Sequence, residues 1–205
     1  SDGTFGIRYT LADVAGSGLK LDYMYFPKHG TGDATADQGM SGGGEANQDA
    51  HDITLTGTVP GIEGLSAGVG YARLNYDLSA TGSPTTKSEE ATAYVKYAAG
   101  PLSIGYQMGG VQEQGLGNLT YKNRYLGISY AVSDDLSVSY NRLESTKGTH
   151  EFAYVAGLEQ TFDSISLSYS MGGMTIGIAD ADCGNCSYTS GRSQDETTIS
   201  LSVAF

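Results

Sequence analysis

Along this chain apolar and polar residues trade places at every second position, and the pattern recurs almost from end to end. TFGIRYTL sets Phe5, Ile7, Tyr9 and Leu11 on one side and Gly6, Arg8 and Thr10 on the other. LKLDYMYF repeats it with Leu19, Leu21, Tyr23 and Tyr25 against Lys20, Asp22 and Met24. DITLTGTV sets Ile53, Leu55 and Val59 against Asp52, Thr54, Thr56 and Thr58. Successive side chains of a strand point to opposite faces, so a period of two predicts strands covered on one face only. Extended through LSAGVGYA, ATAYVKY, LSIGYQM, YLGISYAV, LSVSYN, SISLSYS, MTIGIA and TTISLSVAF, the same reading predicts about eleven strands and almost no helix. Residues Glu151 to Thr161 fit either a loop or the start of a strand.

The connections alternate in length. PGIEG, AAGP, SDD and MGG are short, whereas PKHGTGDATADQGMSGGGEANQDA, SATGSPTTKSEE, QEQGLGNLT and DADCGNCSYTSGRSQD are long and polar. Short turns on one side and long loops on the other suit a membrane barrel. A soluble sandwich alternates too, so connection length alone does not decide.

The tyrosines narrow the choice. Counting back from the C-terminus and reversing direction at each turn puts Tyr9, Tyr97, Tyr130, Tyr169 and Phe205 near the short-turn ends. Tyr23, Tyr25, Tyr71, Tyr106 and Tyr140 fall toward the long-loop ends, with Leu, Ile, Val and Ala between the two sets. A general liking of tyrosine for strands predicts no such sorting. Two aromatic girdles around an aliphatic band are what a bilayer selects, because amphipathic rings settle at headgroup level. The opposite face carries Ser103, Gly105 and Gln107, then Ser137, Ser139 and Asn141, then Ser164, Ser166, Ser168 and Ser170, then Thr198, Ser200 and Ser202. A closed soluble barrel must fill its interior with branched side chains, which rows of serine cannot do. The expected fold is therefore all-β: an antiparallel transmembrane β-barrel, hollow and wet, forming a single domain over residues 1–205.

Composition agrees and removes other classes. Only 39% of the 205 residues are hydrophobic, yet 15 Tyr and 30 Gly against 4 Pro describe an ordered scaffold without a thick core. The net charge of −12 argues against a nucleic-acid partner. No apolar run approaches the roughly 18 residues of a membrane helix.

ISLSVAF, with Ile199, Leu201, Val203 and Phe205 on one face, resembles the C-terminal signal by which outer-membrane barrels are recognised for assembly. YLGISYAVSDDLSVSYN and SISLSYSMGGMTIGIADAD resemble the general porins of Gram-negative bacteria, closest to the alphaproteobacterial type. The likeness covers most of the last 90 residues and the earlier strands in pattern only. It implies a trimer of sixteen-stranded barrels in the outer membrane, among lipid and lipopolysaccharide, passing small hydrophilic solutes by diffusion. It also implies no cofactor and no enzymatic activity, with Phe205 as a handle for the barrel-assembly machinery. Eleven strands fall short of the roughly 16–18 of water-filled channels. The chain is thus expected to be the C-terminal part of a larger barrel. The alternative is a complete twelve-stranded barrel with a specialised channel or a lipid-active role.

Arg8, Lys20, Asp22, Asp52, Thr54, Arg73, Lys96, Gln107 and Asn141 are the expected pore-lining residues. Arg8, Lys20 and Lys96 follow the alternation, whereas Arg73 stands where the alternation of GYARLNY slips. Asp22 and Asp52 are placed to neutralise cations on neighbouring strands. Loop acids, namely Asp33, Asp37, Glu45 and Asp49, then Glu89 and Glu90, then Asp180, Asp182, Asp195 and Glu196, suggest a cation-preferring mouth. They also offer oxygen ligands for Ca²⁺, although no EF-hand loop is present and solvated surface is the plainer reading. Cys183-Gly-Asn-Cys186 is a lone CxxC, read as a loop disulfide; zinc would need ligands that His29, His51 and His150 are not spaced to supply. His51-Asp52 is the best catalytic pair on offer, yet neighbours on a strand face opposite ways.

Overall fold

The computed structural model describes residues 6–27, 47–76, 86–114, 119–150 and 154–203. They form eleven strands: β1 (Ile7–Leu11), β2 (Leu19–Phe26), β3 (Asn47–Thr58), β4 (Leu65–Tyr76), β5 (Thr86–Ala99), β6 (Leu102–Gln114), β7 (Leu119–Ala131), β8 (Leu136–His150), β9 (Tyr154–Met171), β10 (Met174–Gly184) and β11 (Ser193–Val203). One short 3-10 turn, Cys186–Tyr188, interrupts them. The strands make a single sheet in chain order, each antiparallel to the next. Among the described residues β1 and β11 remain its two edges. No helix among them is long and apolar enough to cross a membrane, which says nothing about strands.

Tight turns set the register on one side. Between β3 and β4, Gly64 adopts φ +77°. Its carbonyl accepts the Ala98 amide at 2.9 Å, and a Cβ at this position would overlap the Ala98 carbonyl. Only glycine meets both demands.

On the other side the strands run further than hydrophobic alternation foretells. β8 has 15 residues and β9 has 18, so most of the ambiguous 151–161 stretch is strand, from Tyr154 onward. DADCGNCSYTSGRSQD, read as a long loop, is ladder at both of its ends: Asp180 pairs with Thr197, Asp182 with Asp195 and Gly184 with Ser193. Both faces of a strand are wet beyond an apolar band, so the alternation disappears there while backbone pairing continues.

The sheet has almost no core. Among the described residues, the buried apolar ones are Ala50, Leu74 and Cys186. Ile165, Ile199 and Leu201 are 60%, 75% and 65% exposed. Burying such side chains is worth ~1.5–3 kcal/mol each, and here no protein layer does so. The apolar face requires a cover that is not part of this sheet.

Candidate functional site

The candidate site is the polar face. Register brings small polar side chains together across strands: Ser103 with Ser129, Ser137 with Ser168, Ser139 with Ser166, Asn141 with Ser164, and Thr175 with Ser202. The Ser139 and Ser166 hydroxyls lie 2.6 Å apart, and those of Ser170 and Thr175 3.0 Å apart. Serine spends its hydrogen bonds on its neighbour and stays short, so the wall remains open to water.

Of the expected pore-lining residues, Arg8, Lys20, Asp22, Asp52, Thr54, Lys96, Gln107 and Asn141 share this face by register. Asp22 gathers two cations. Arg8 Nε and Nη2 donate to its Oδ1 at 3.0 and 2.8 Å, Lys20 Nζ lies 2.6 Å from its Oδ2, and Thr10 adds a hydroxyl donor. Asp52 gathers none, standing opposite Met24 and Ala72 and making no ion pair among the described residues. Gln107 donates to the Thr92 hydroxyl at 3.0 Å. Arg73 corrects an expectation. It faces His51 and Glu89 across the ladder, on the side of Tyr71, and donates to Asn75 at 3.1 Å. Uninterrupted pairing from Ala50 to Thr58 fixes β4's parity, so the slip in GYARLNY is one of side-chain chemistry and not of backbone.

The apolar face ends in a charged rim on the long-loop side, and tyrosine hydroxyls tie the two together. Tyr23 shares a 2.8 Å hydrogen bond with His51 Nδ1, Tyr71 donates to Glu89 at 2.8 Å, and Tyr140 donates to Asp163. Arg142 lies 3.0 Å from Glu144 and 3.4 Å from Asp163, and Arg124 lies 3.4 Å from Glu144. Each ring thus rests among aliphatics while its hydroxyl reaches polar partners, the arrangement interfacial tyrosines adopt. Tyr25 packs on the His51 ring at 4.9 Å. Tyr97, Tyr106, Tyr130 and Tyr169 stand on the same face, 43%, 38%, 46% and 40% exposed. The sorting fails at one pair: Tyr9 and Tyr23, assigned to opposite ends, are direct partners. The turn after β1 is seven residues long, 12–18, and seats Leu11 against Leu21, which brings the two rings level. Phe205 lies outside the described residues, as do Asp33, Asp37, Glu45 and His29.

Cys183 and Cys186 are joined as a disulfide with Cα atoms 5.7 Å apart. It closes the start of loop 185–192, which leans over the polar face: Tyr188 Oη lies 2.6 Å from Ser145 Oγ, and its ring lies 5.9 Å from that of Tyr121. Lys147 Nζ stands 5.9 Å from both rings. Sequence reading passes over Tyr121, Ser145, Lys147 and Tyr188; the one signal was an aromatic inside a Gly/Ser-rich loop beside a CxxC. The acids read as loop residues largely sit on strands. Asp182 faces Asp163 and Asp195, and Glu196 faces Ala181 on the polar side. Among the described residues no group of three His, Cys, Asp or Glu side chains converges as a metal site. His51 and Asp52 point to opposite faces, and His51 bonds Asp49 at 3.0 Å.

The polar face also carries an apolar row. Tyr94 lies opposite Gln107, Gln107 opposite Tyr125, Tyr125 opposite Leu143 and Leu143 opposite Phe162. With Lys96, Asn141 and the serines beside them, these residues line a hollow of about 650 Å³.

The sequence matches no family model and no curated protein. The fold does match solved structures. Salmonella typhi OmpF, determined in complex with daunomycin, is similar with TM-score 0.66 and 12% identity over 96% of this chain and 60% of that one. A loop L8 deletion mutant of OmpT, an outer membrane protein of Vibrio cholerae, is similar with TM-score 0.60 and 10% identity over 96% of this chain and 61% of that one. The chain therefore spans about three fifths of either neighbour. At such identities the likeness establishes the fold: an antiparallel sheet built like the wall of an outer-membrane β-barrel.

Proposed function

We propose that this chain forms wall of a channel in a bacterial outer membrane, through which small hydrophilic solutes and ions diffuse passively. One observation carries the reading. The same sheet exposes aliphatics on one face and rows of serine and glycine on the other, with almost no core between. Lipid covers the first face, and water fills the space before the second. A soluble sandwich would have to bury the aliphatics, and a closed soluble barrel would have to fill the serine face. The work of such a wall is to hold water, not to make or break bonds, which matches a face lined with hydroxyls, glycine and paired charges. The share of the neighbouring folds that the chain covers supports a larger wall, with sixteen strands in all. Trimerisation, the alphaproteobacterial affinity and contact with lipopolysaccharide rest on resemblance alone. Carboxylates outnumber cations in the chain, 23 to 11, and on that ground the channel prefers cations.

The test is a planar bilayer carrying the protein purified from native outer membranes. Stepwise, ohmic conductance with a reversal potential on the cation side of a KCl gradient is the expected result. A silent bilayer would sink the channel reading, and an anion-side reversal would sink the selectivity alone. Intact denatured mass checks the larger wall: a value above about 30 kDa fits a barrel of that size, whereas 21.4 kDa contradicts it.

A further inference from the structure

A wall facing only water has no use for large apolar side chains, yet this one carries a row of them. Tyr94, Tyr125, Leu143 and Phe162 lie on one hydrogen-bonding row, each on the polar face, with Tyr125 and Phe162 40% and 39% exposed. Tyr94 is held over Gly68, where a Cβ would come within 2.5 Å of its ring, so the glycine makes room for the ring to lie flat. Tyr125 and Phe162 have no such cover. They stand two strands apart, roughly 10 Å, with Leu143 between them, so the three side chains form one apolar ledge against which a flat ring can lie.

The row directly toward the short turns is built differently. Lys96 faces Gly105, Gly105 faces Gly127, Gly127 faces Asn141 and Asn141 faces Ser164. Two glycines side by side leave a notch with Lys96 at one end and Asn141 at the other, below the aromatic row. A Cβ on Gly105 would meet its first neighbour only at 4.0 Å, whereas one on Gly127 would come 3.2 Å from Asn141 Oδ1, so the notch is open at Gly105 and bordered by the Asn141 amide at Gly127. Both rows line the same hollow of about 650 Å³, the size of a small-molecule site.

The charge at the notch is positive and has no counterion in the sheet. Arg8 and Lys20 share Asp22, but Lys96 has no carboxylate within ion-pair distance among the described residues. β4 and β7 contain no acidic residue at all. The acid nearest along β5 on this face is Glu90, six residues away, about 20 Å of strand. In a chain of net charge −12 this is a local inversion.

From the aromatic row, the glycine notch and the uncompensated lysine we infer a solute site on the channel wall for a ring-bearing organic anion, such as an aryl carboxylate. The ring lies against Tyr125 and Phe162, the carboxylate meets Lys96, and the amides of Gln107 and Asn141 serve the polar edge. The inference rests on the channel reading and adds a substrate class to it.

The experiment measures block of single-channel current by naphthalene-2-carboxylate, with acetate and naphthalene-2-methanol as probes lacking the ring or the charge. Naphthalene-2-carboxylate is expected to reduce the current at millimolar concentration, with each partial probe about tenfold weaker. Tyr125→Ser with Phe162→Ser raises the half-blocking concentration of naphthalene-2-carboxylate about fivefold, and so does Lys96→Gln. Open-channel current in KCl reports that each variant has folded. Equal block by acetate and naphthalene-2-carboxylate, or block untouched by the aromatic changes, overturns the site. Conductance without any block overturns it while leaving the channel reading standing. A silent wild-type bilayer overturns both.

Discussion

Leu167 tests whether lipid or water covers the apolar face. It stands on β9 between Val138 of β8 and Ile178 of β10, with Ile199 one strand further, so four aliphatics occupy one row. Its side chain is 42% exposed in the bare sheet, and no second layer lies over it. In water, Leu167→Arg would shift stability by no more than about 0.5 kcal/mol, as for ordinary surface changes, and would improve solubility. In a bilayer an arginine near the midplane of a barrel costs ~2–4 kcal/mol, about 30- to 700-fold in the folding equilibrium. Ser166→Arg is the internal control: one residue away on the same strand, it points to the opposite face beside Ser139 and Ala179. It should leave stability nearly unchanged and instead narrow the conducting path. Urea titrations of folding into phosphatidylcholine vesicles, read by heat-modifiable mobility in gels, give both numbers. Equal midpoints for Leu167→Arg and wild type would refute the membrane face, and so would equal losses for the two arginines.

The remaining expectations are narrower. Asp22→Asn strips the counterion from Arg8 and Lys20, whose side chains are 53% and 43% exposed. Stability should change by less than about 1 kcal/mol, while the reversal potential in a KCl gradient moves toward anions; an unmoved potential would place this triad off the ion path. Gly68→Val puts a Cβ where the Tyr94 ring now lies, forcing the ring into the channel at ~1–3 kcal/mol. Conductance should fall, and Tyr94→Ala in the same molecule should restore it. Cys183→Ser with Cys186→Ser unties the start of loop 185–192, which holds Tyr188 against Ser145 and Tyr121. Open-channel current noise should rise with folding into vesicles unimpaired, and a trace as quiet as wild type would mean that Tyr188 holds the loop without the disulfide.

The two faces of the strands were legible in the sequence because side-chain facing has a period of two, and each face meets a single solvent. Where the face stays constant, as through Leu136, Val138 and Tyr140 or Ser164, Ser166 and Ser168, reading letters suffices. Strand ends were not legible by that route, since polar residues pair their backbones without announcing it: Asp180 to Gly184 and Ser193 to Asp195 read as loop and form ladder. Facing, strand number and the small polar side chains of the polar face are thus written locally. Height is not. Whether Tyr9 lies level with Tyr23, whether Arg73 follows Tyr71 outward, and whether Tyr94, Tyr125, Leu143 and Phe162 form one row all depend on register. Register is a relation between strands, fixed by turn geometry and the sum of many cross-strand pairs. Along a single strand Tyr125 is one aromatic among polar residues; only the pairing of five strands sets it beside Leu143 and above the glycine notch at Lys96.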